Sequence, residues 1–168
     1  MQPDEMQQAA VAEQLKQALR GFAQTVVIIS ASDSAGERYA MAATAVVPVS
    51  MDPPSMLACI NRNASAYGIF AAGADFCLNI LGTSALDIAQ CCATSSGSDR
   101  FKAGDWRMLD NIPYLAEAQA AIHCRQSNRV SHGSHDIIFG DVRSVRLAET
   151  IDPLLYLEGT YRRVGDQL

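Results

Sequence analysis

The sequence predicts an α+β domain, mainly β, built around a β-barrel with flanking helices. Three observations predict it. Apolar runs of strand length, rich in Val, Ile and Thr, recur about six or seven times between clusters of turn residues. They follow one another through turns rather than through long helical crossovers, which argues against a doubly wound sheet. No two glycines stand two positions apart, so the GxGxxG dinucleotide fingerprint is absent, and no Gly-Lys pair closes a P-loop.

Each element can be justified in order. Residues 5–22 place Val11, Leu15, Ala18 and Phe22 at helical spacing among Gln and Glu, and Gly21 ends the helix. Thr25 to Ser30 is a β-branched strand, and the turn residues Ser32 to Gly36 lead into a second strand over 38–49. Pro53 and Pro54 interrupt before a buried strand from Met56 to Ile60. A short helix is expected over Ala64–Ala72, stopped by Gly73, then a strand over Asp75–Leu81. Ala85–Ala93 reads as a helix with Leu86, Ala89 and Cys92 on one face. Thr94–Gly104 is a polar loop, and Trp106–Tyr114, with Pro113, reads as irregular. A long hairpin follows, with arms Ala120–Arg129 and His135–Leu147 around Ser131-His132-Gly133-Ser134. Leu154–Tyr161 is the last strand. No repeat, linker or low-complexity tract appears, so residues 1–168 read as one domain with 1–12 as a peripheral helix or tail.

Composition narrows the function classes. The chain has 168 residues, of which 49% are hydrophobic and 18% charged, which excludes disorder. A net charge of −5 gives no footprint for nucleic acid or for an anionic membrane surface. Asp4 and Glu5 stand where a signal peptide carries Lys or Arg, and no apolar run is long enough to span a bilayer. The odd set of five cysteines, most of them in apolar runs, predicts reduced thiols and a cytoplasmic protein.

Two stretches carry the chemistry. "CINRNASAY" (59–67) sets polar residues between a buried strand and a helix. Three readings compete for it: a glycosylation sequon at Asn63, a plain polar turn, and an anion-binding loop. The sequon conflicts with a cytoplasmic location. In the anion-binding reading Ser65 caps the helix and Arg62 supplies the cation. "MAATAVV" (41–47) is nearly all small residues, which suits either a flat ligand lying along a strand or tight packing. His132 and His135 straddle a glycine turn, and with no CxxC or carboxylate beside them no metal is expected. Cys91-Cys92 reads as packing rather than redox chemistry.

Four blocks in order resemble the flavin reductase-like family of split-barrel FMN-binding proteins, and above all the reductase components of two-component aromatic monooxygenases. They are "MAATAVVPVSMDPPSMLACINRNASA" (41–66), "FCLNIL" (76–81), "GSHDIIFGDV" (133–142) and "PLLYLEGTYR" (153–162). The resemblance implies a split β-barrel and a homodimer with flavin near the interface. It implies hydride transfer from NADH, with NADPH as the alternative, to FMN, with FAD as the alternative. Reduced flavin would then leave for a flavin-dependent oxygenase. Carried over by position, Met41, Ala42, Ala43, Thr44, Ala45 and Val46 run along the flavin ring. Cys59, Ile60 and Asn61 lie beside the ribityl chain, and Ser65 and Ala66 at the phosphate, with Arg62 as second choice. Ser50, Arg100 and Phe101 join the cofactor set. His135 falls beside flavin and nicotinamide as the catalytic candidate, with Tyr161 and Arg162 on the nicotinamide side. Ala42 and Thr44 depart from the Thr and the Asn or Ser frequent in relatives. A non-catalytic FMN-binding or electron-transfer protein on the same barrel is the alternative, and an oxidase-type relative is a further one.

Overall fold

The computed structural model describes residues 3–165. The outermost residues of the expected 1–168 domain, 1–2 and 166–168, lie outside the described residues. The helices are α1 (Pro3–Arg20), α2 (Tyr67–Ala71) and α3 (Leu86–Thr94). The strands are β1 (Gln24–Thr25), β2 (Val27–Ser32), β3 (Arg38–Ala43), β4 (Val46–Met51), β5 (Pro54–Asn61) and β6 (Phe76–Ile80). They continue with β7 (Trp106–Leu109), β8 (Ile112–Leu115), β9 (Ala120–His132), β10 (His135–Leu147), β11 (Leu154–Leu157) and β12 (Thr160–Arg163).

Seven strands form one antiparallel sheet in the order β3-β2-β6-β9-β10-β5-β4. Its two edge strands, β3 and β4, are consecutive in sequence and joined only by Thr44 and Ala45. Laid flat, the sheet would hold its edges roughly 30 Å apart, a span that two linking residues cannot bridge. The sheet therefore curls until its edges meet. At the seam the Cys59 N–H donates to the Ala45 carbonyl at 2.9 Å. The expected strand over 38–49 is thus two strands broken at this corner, because each half pairs with a different neighbour. Pro48 is tolerated because β4 is an edge.

The core explains the sequence pattern. β2 is buried on both faces, so it reads as a continuous apolar run rather than an alternation. Ile29, Ala58, Ile60, Phe76, Leu78 and Ile138 fill the barrel. On the outside of β2, Ile28 packs against Ile88, Ala89 and Cys92 of α3 and against Leu81, Leu115 and Leu154. Asn79, fully buried in β6, donates to the Ile28 carbonyl and to Ser30 Oγ, each at 2.9 Å, and accepts the Leu115 N–H at 2.8 Å. It ties the sheet to the β7–β8 hairpin.

Two segments differ from their expected form. Trp106–Tyr114 is not irregular: Asp110 and Asn111, at φ 48° and 63°, make the tight turn of the β7–β8 hairpin. Leu154–Tyr161 is not one strand: Glu158 and Gly159, at φ 53° and 77°, fold it into the β11–β12 hairpin, which pairs with β1. The expected helix over 64–72 shortens to α2. Among the described residues the amphipathic face of α1 finds no cover, since Val11, Leu15 and Leu19 are each more than half exposed. Among the described residues no helix is long and apolar enough to cross a membrane.

Candidate active site

The site assembles where β5 and β10 run side by side, with His135 the register partner of Asn61. The polar stretch beyond Cys59 is mostly structural. Asn61 Oδ1 accepts the Asn63 N–H at 2.8 Å, and the Asn61 carbonyl accepts the Ala64 N–H at 2.9 Å. The Arg62 N–H donates to the Ser134 carbonyl at 3.0 Å, lashing the end of β5 to the β9–β10 turn. Below this turn Asp136 is buried. It accepts Arg62 Nε, Tyr67 Oη and Ser131 Oγ, each at 2.9 Å, and Arg129 Nη1 lies 3.5 Å away. Burial alone would raise the Asp136 carboxyl. The hydrogen bonds from Arg62, Ser131 and Tyr67, with the charge of Arg62, outweigh it and hold the group below the usual carboxylate range.

Against that frame opens a cleft of about 370 Å³, lined by Met41 to Ala45, Cys59, Asn61, His135 and Tyr161. Strand alternation sorts the expected residues. Cys59 and Asn61 share the cleft face, while Ile60 between them is fully buried in the core. Tyr161 faces the cleft, so Arg162 does not, and it stays exposed. The walls are small side chains (Ala42, Ala43, Ala45 and Ala93), which leave a slot suited to a flat ring. His135 stands at the rim with Nδ1 2.9 Å from Ser134 Oγ. Sequence reasoning passed over Val26, Ala93 and Tyr156. The ring of Tyr156 meets that of Tyr161 edge to face at 5.3 Å. The signal for Tyr156 was the Glu-Gly turn, which makes these two tyrosines register partners.

Beyond Ala42 and Ala93 a second recess holds Ser65 and Arg100, and a third holds Arg38, Ser65, Ala66 and Arg100. Ser65 is not a helix cap: α2 starts at Tyr67, and no side-chain hydrogen bond caps it. Its hydroxyl makes no hydrogen bond among the described residues and faces these recesses. Arg62 lines none of them, because Asp136 holds its side chain. Phe101 sits beside the third recess, its ring centroid 4.6 Å from that of Trp106 at an interplanar angle of 59°. Val46 lines a separate apolar groove of about 670 Å³ with Phe22, Val47, Met56 and Ile80. Ser50 bonds the Asp52 carbonyl and N–H within the β4–β5 turn, away from the cleft. His123 lies nine residues along β9 from His132, roughly 30 Å, and does not join the other two histidines.

The model of the flavin reductase like domain matches residues 19–165. The chain belongs to the flavin reductase-like family. This member is 34% identical over 145 residues to the NADH:riboflavin 5'-phosphate oxidoreductase of Streptomyces pristinaespiralis, covering 85% of this chain and 82% of that protein. It is 34% identical over 154 residues to the reductase component of an FADH(2)-dependent resorcinol hydroxylase from a Rhizobium species, covering 90% and 86%. Among solved structures, the NADH:FAD oxidoreductase SgcE6 of Streptomyces globisporus superposes with a TM-score of 0.85 at 25% identity, covering 92% of this chain and 94% of that one. The split barrel implied by the sequence resemblance is therefore the fold observed.

Proposed function

We propose that this chain is an NADH-dependent flavin reductase that passes hydride to FMN and releases reduced flavin to a separate flavin-dependent oxygenase. The observation that carries this reading is the small-residue cleft between β3, β5 and the β11–β12 hairpin, with His135 at its rim and a phosphate-sized recess beyond Ala93. The residues fit a flavin. The slot is flat and mostly apolar, and the Ser65 hydroxyl and two guanidinium groups lie at one end.

Bound flavin supplies the hydride-accepting ring, and the protein supplies position and electrostatics. Residues 41–45 line one wall of the cleft, where their main-chain N–H groups would stabilise negative charge on a bound flavin. Cys59 and Asn61 flank the chain that leads to the phosphate. His135 and Tyr161 border the open side, where they orient the nicotinamide and limit water. Hydride transfer needs no proton at His135, so its role is positioning.

Three further features support the same reading. The groove holding Phe22, Val46, Val47 and Met56 shares Thr44, Ala45 and Cys59 with the cleft. Val47, Val49 and Met51 are exposed beside it, as is the apolar face of α1. This surface suits a second copy of the chain, and a homodimer formed through it would have the flavin site at its edge. The five free cysteines agree with a reducing compartment, the cytoplasm. Both faces of β2 are buried in the core, Ile28 with Leu81 and Leu154 and Ile29 with Ile60 and Ile138, which supports reading the chain as a single domain. The test is steady-state NADH oxidation with added FMN, FAD or riboflavin. Turnover that rises with added FMN is expected. Flavin binding without NADH oxidation would overturn the reading in favour of a flavin store.

A further inference from the structure

The anionic end of the site is set by which cations are uncommitted. Arg62 is held by the buried Asp136. Arg100 donates Nε to the Ser95 carbonyl at 2.8 Å and Nη1 to the Ala40 carbonyl at 2.5 Å, which braces the end of α3 against β3. Arg38 is different. Its guanidinium carbon lies 4.4 Å from the ring centroid of Phe101. Among the described residues it has neither a carboxylate partner nor a hydrogen bond. Phe101 is itself wedged against Trp106 and the core that contains Ile88 and Leu115. This contact therefore holds the Arg38 guanidinium over the ring while leaving its N–H donors open. Arg38, Arg100 and Ser65 line one recess of about 140 Å³, the third along the line from the ring cleft. Glu37 lines it too, so one carboxylate stands against two guanidinium groups and the local balance stays positive.

We propose that Arg38, seated on Phe101, is the residue that recognises the terminal phosphate of the flavin, with Ser65 and Arg100 completing the recess. Arg62 is a positioning residue that holds the Asn61–Ser65 turn through Asp136. A phosphomonoester takes two parallel N–H bonds from a planar guanidinium, and the ring contact holds that group before the ligand arrives. The assignment rests on the flavin reductase reading and adds to it a discrimination between FMN and riboflavin.

The test is equilibrium binding of FMN and of riboflavin, read from flavin fluorescence with no NADH present. Arg38→Ala is expected to weaken FMN about ten- to a hundred-fold, the range for losing a charge-assisted pair, and to change riboflavin by less than about two-fold. Arg38→Lys falls between, because the charge stays and the fork is lost. Unchanged riboflavin binding also shows that the variant is folded. In Arg62→Ala the ratio of FMN to riboflavin affinity is expected to stay as in the parent. Equal weakening of both flavins by Arg38→Ala, an unchanged ratio, or a ratio that collapses only in Arg62→Ala would each overturn the assignment. So would unchanged flavin binding in Arg38→Ala together with a raised KM for NADH in steady-state turnover, which would move Arg38 to the nicotinamide pyrophosphate. A parent protein that binds neither flavin would overturn the flavin reductase reading itself.

Discussion

Asn79→Ala is the perturbation that most directly tests how the site is held. Asn79 is fully buried and makes three short hydrogen bonds, to Ile28, Ser30 and Leu115. Its removal strands the Leu115 N–H inside the protein and strips one donor from Ile28 and from Ser30. A buried group left unpaired costs about 1–3 kcal/mol, and each further bond of ordinary strength about 1 kcal/mol net. Ser30 keeps its bond to the Pro113 carbonyl at 2.5 Å, so part of that loss is recovered. The sum is about 2–4 kcal/mol. For a chain of this size that lowers Tm by on the order of 10 °C. With a urea m-value of about 2 kcal/mol/M, the midpoint falls by about 1–2 M at unchanged m. Trp106 fluorescence follows the transition, because Trp106 belongs to the β7–β8 hairpin that Asn79 anchors. Ile28 and Ala42 are register partners, so a loosened β2 also shifts the wall of the cleft and weakens FMN. A midpoint within about 0.3 M of the parent would refute the reasoning, since it would mean that solvent replaces these bonds at little cost.

Four other outcomes are expected. His135→Ala slows flavin reduction in stopped-flow by about ten- to a hundred-fold and shifts the FMN Kd by less than about three-fold, as loss of orientation predicts; an unchanged reduction rate would remove His135 from the reaction. Burial holds the His123 imidazole below its ordinary value, with Asp110 opposing and Arg146 reinforcing, and both ring nitrogens lack partners among the described residues. The unfolded chain therefore takes the proton first. Stability from this group is full above pH 6.5 and is lost as pH falls below it, by at most about 1.4 kcal/mol per pH unit, and His123→Phe flattens that dependence in urea titrations. Gly140→Ala places a Cβ 2.6 Å from both Cys124 Cβ and Phe76 Cζ, and is expected to destabilise by about 1–3 kcal/mol in thermal melts. Cys59 lines the cleft, whereas burial pushes the Cys92 and Cys124 thiols up to about 12, so FMN is expected to slow alkylation of Cys59 in peptide-mapping experiments.

The sequence by itself determined the class of fold, most of the elements and the family. Strand-length apolar runs, the glycine and Asx turns and the four ordered blocks are local signals, and most survive in the structure with shifted ends, while the runs over 38–49 and 154–161 each break into two strands. It also determined the small-residue wall, because Met41 to Ala45 needs no distant partner to be recognised as a place with room. The tertiary structure alone decided which polar groups of "CINRNASAY" open onto the recesses beside the cleft. A linear reading ranks Ser65 before Arg62 but leaves both available. Only the pairing of β5 with β10 brings Asp136 under Arg62, and that buried carboxylate claims the guanidinium. In the same way only the curl of the sheet carries Arg38, at the start of β3, to Phe101 and Ser65. A cation's availability is set by the charges and rings that long-range strand pairing brings to it, and no spacing along the chain records them.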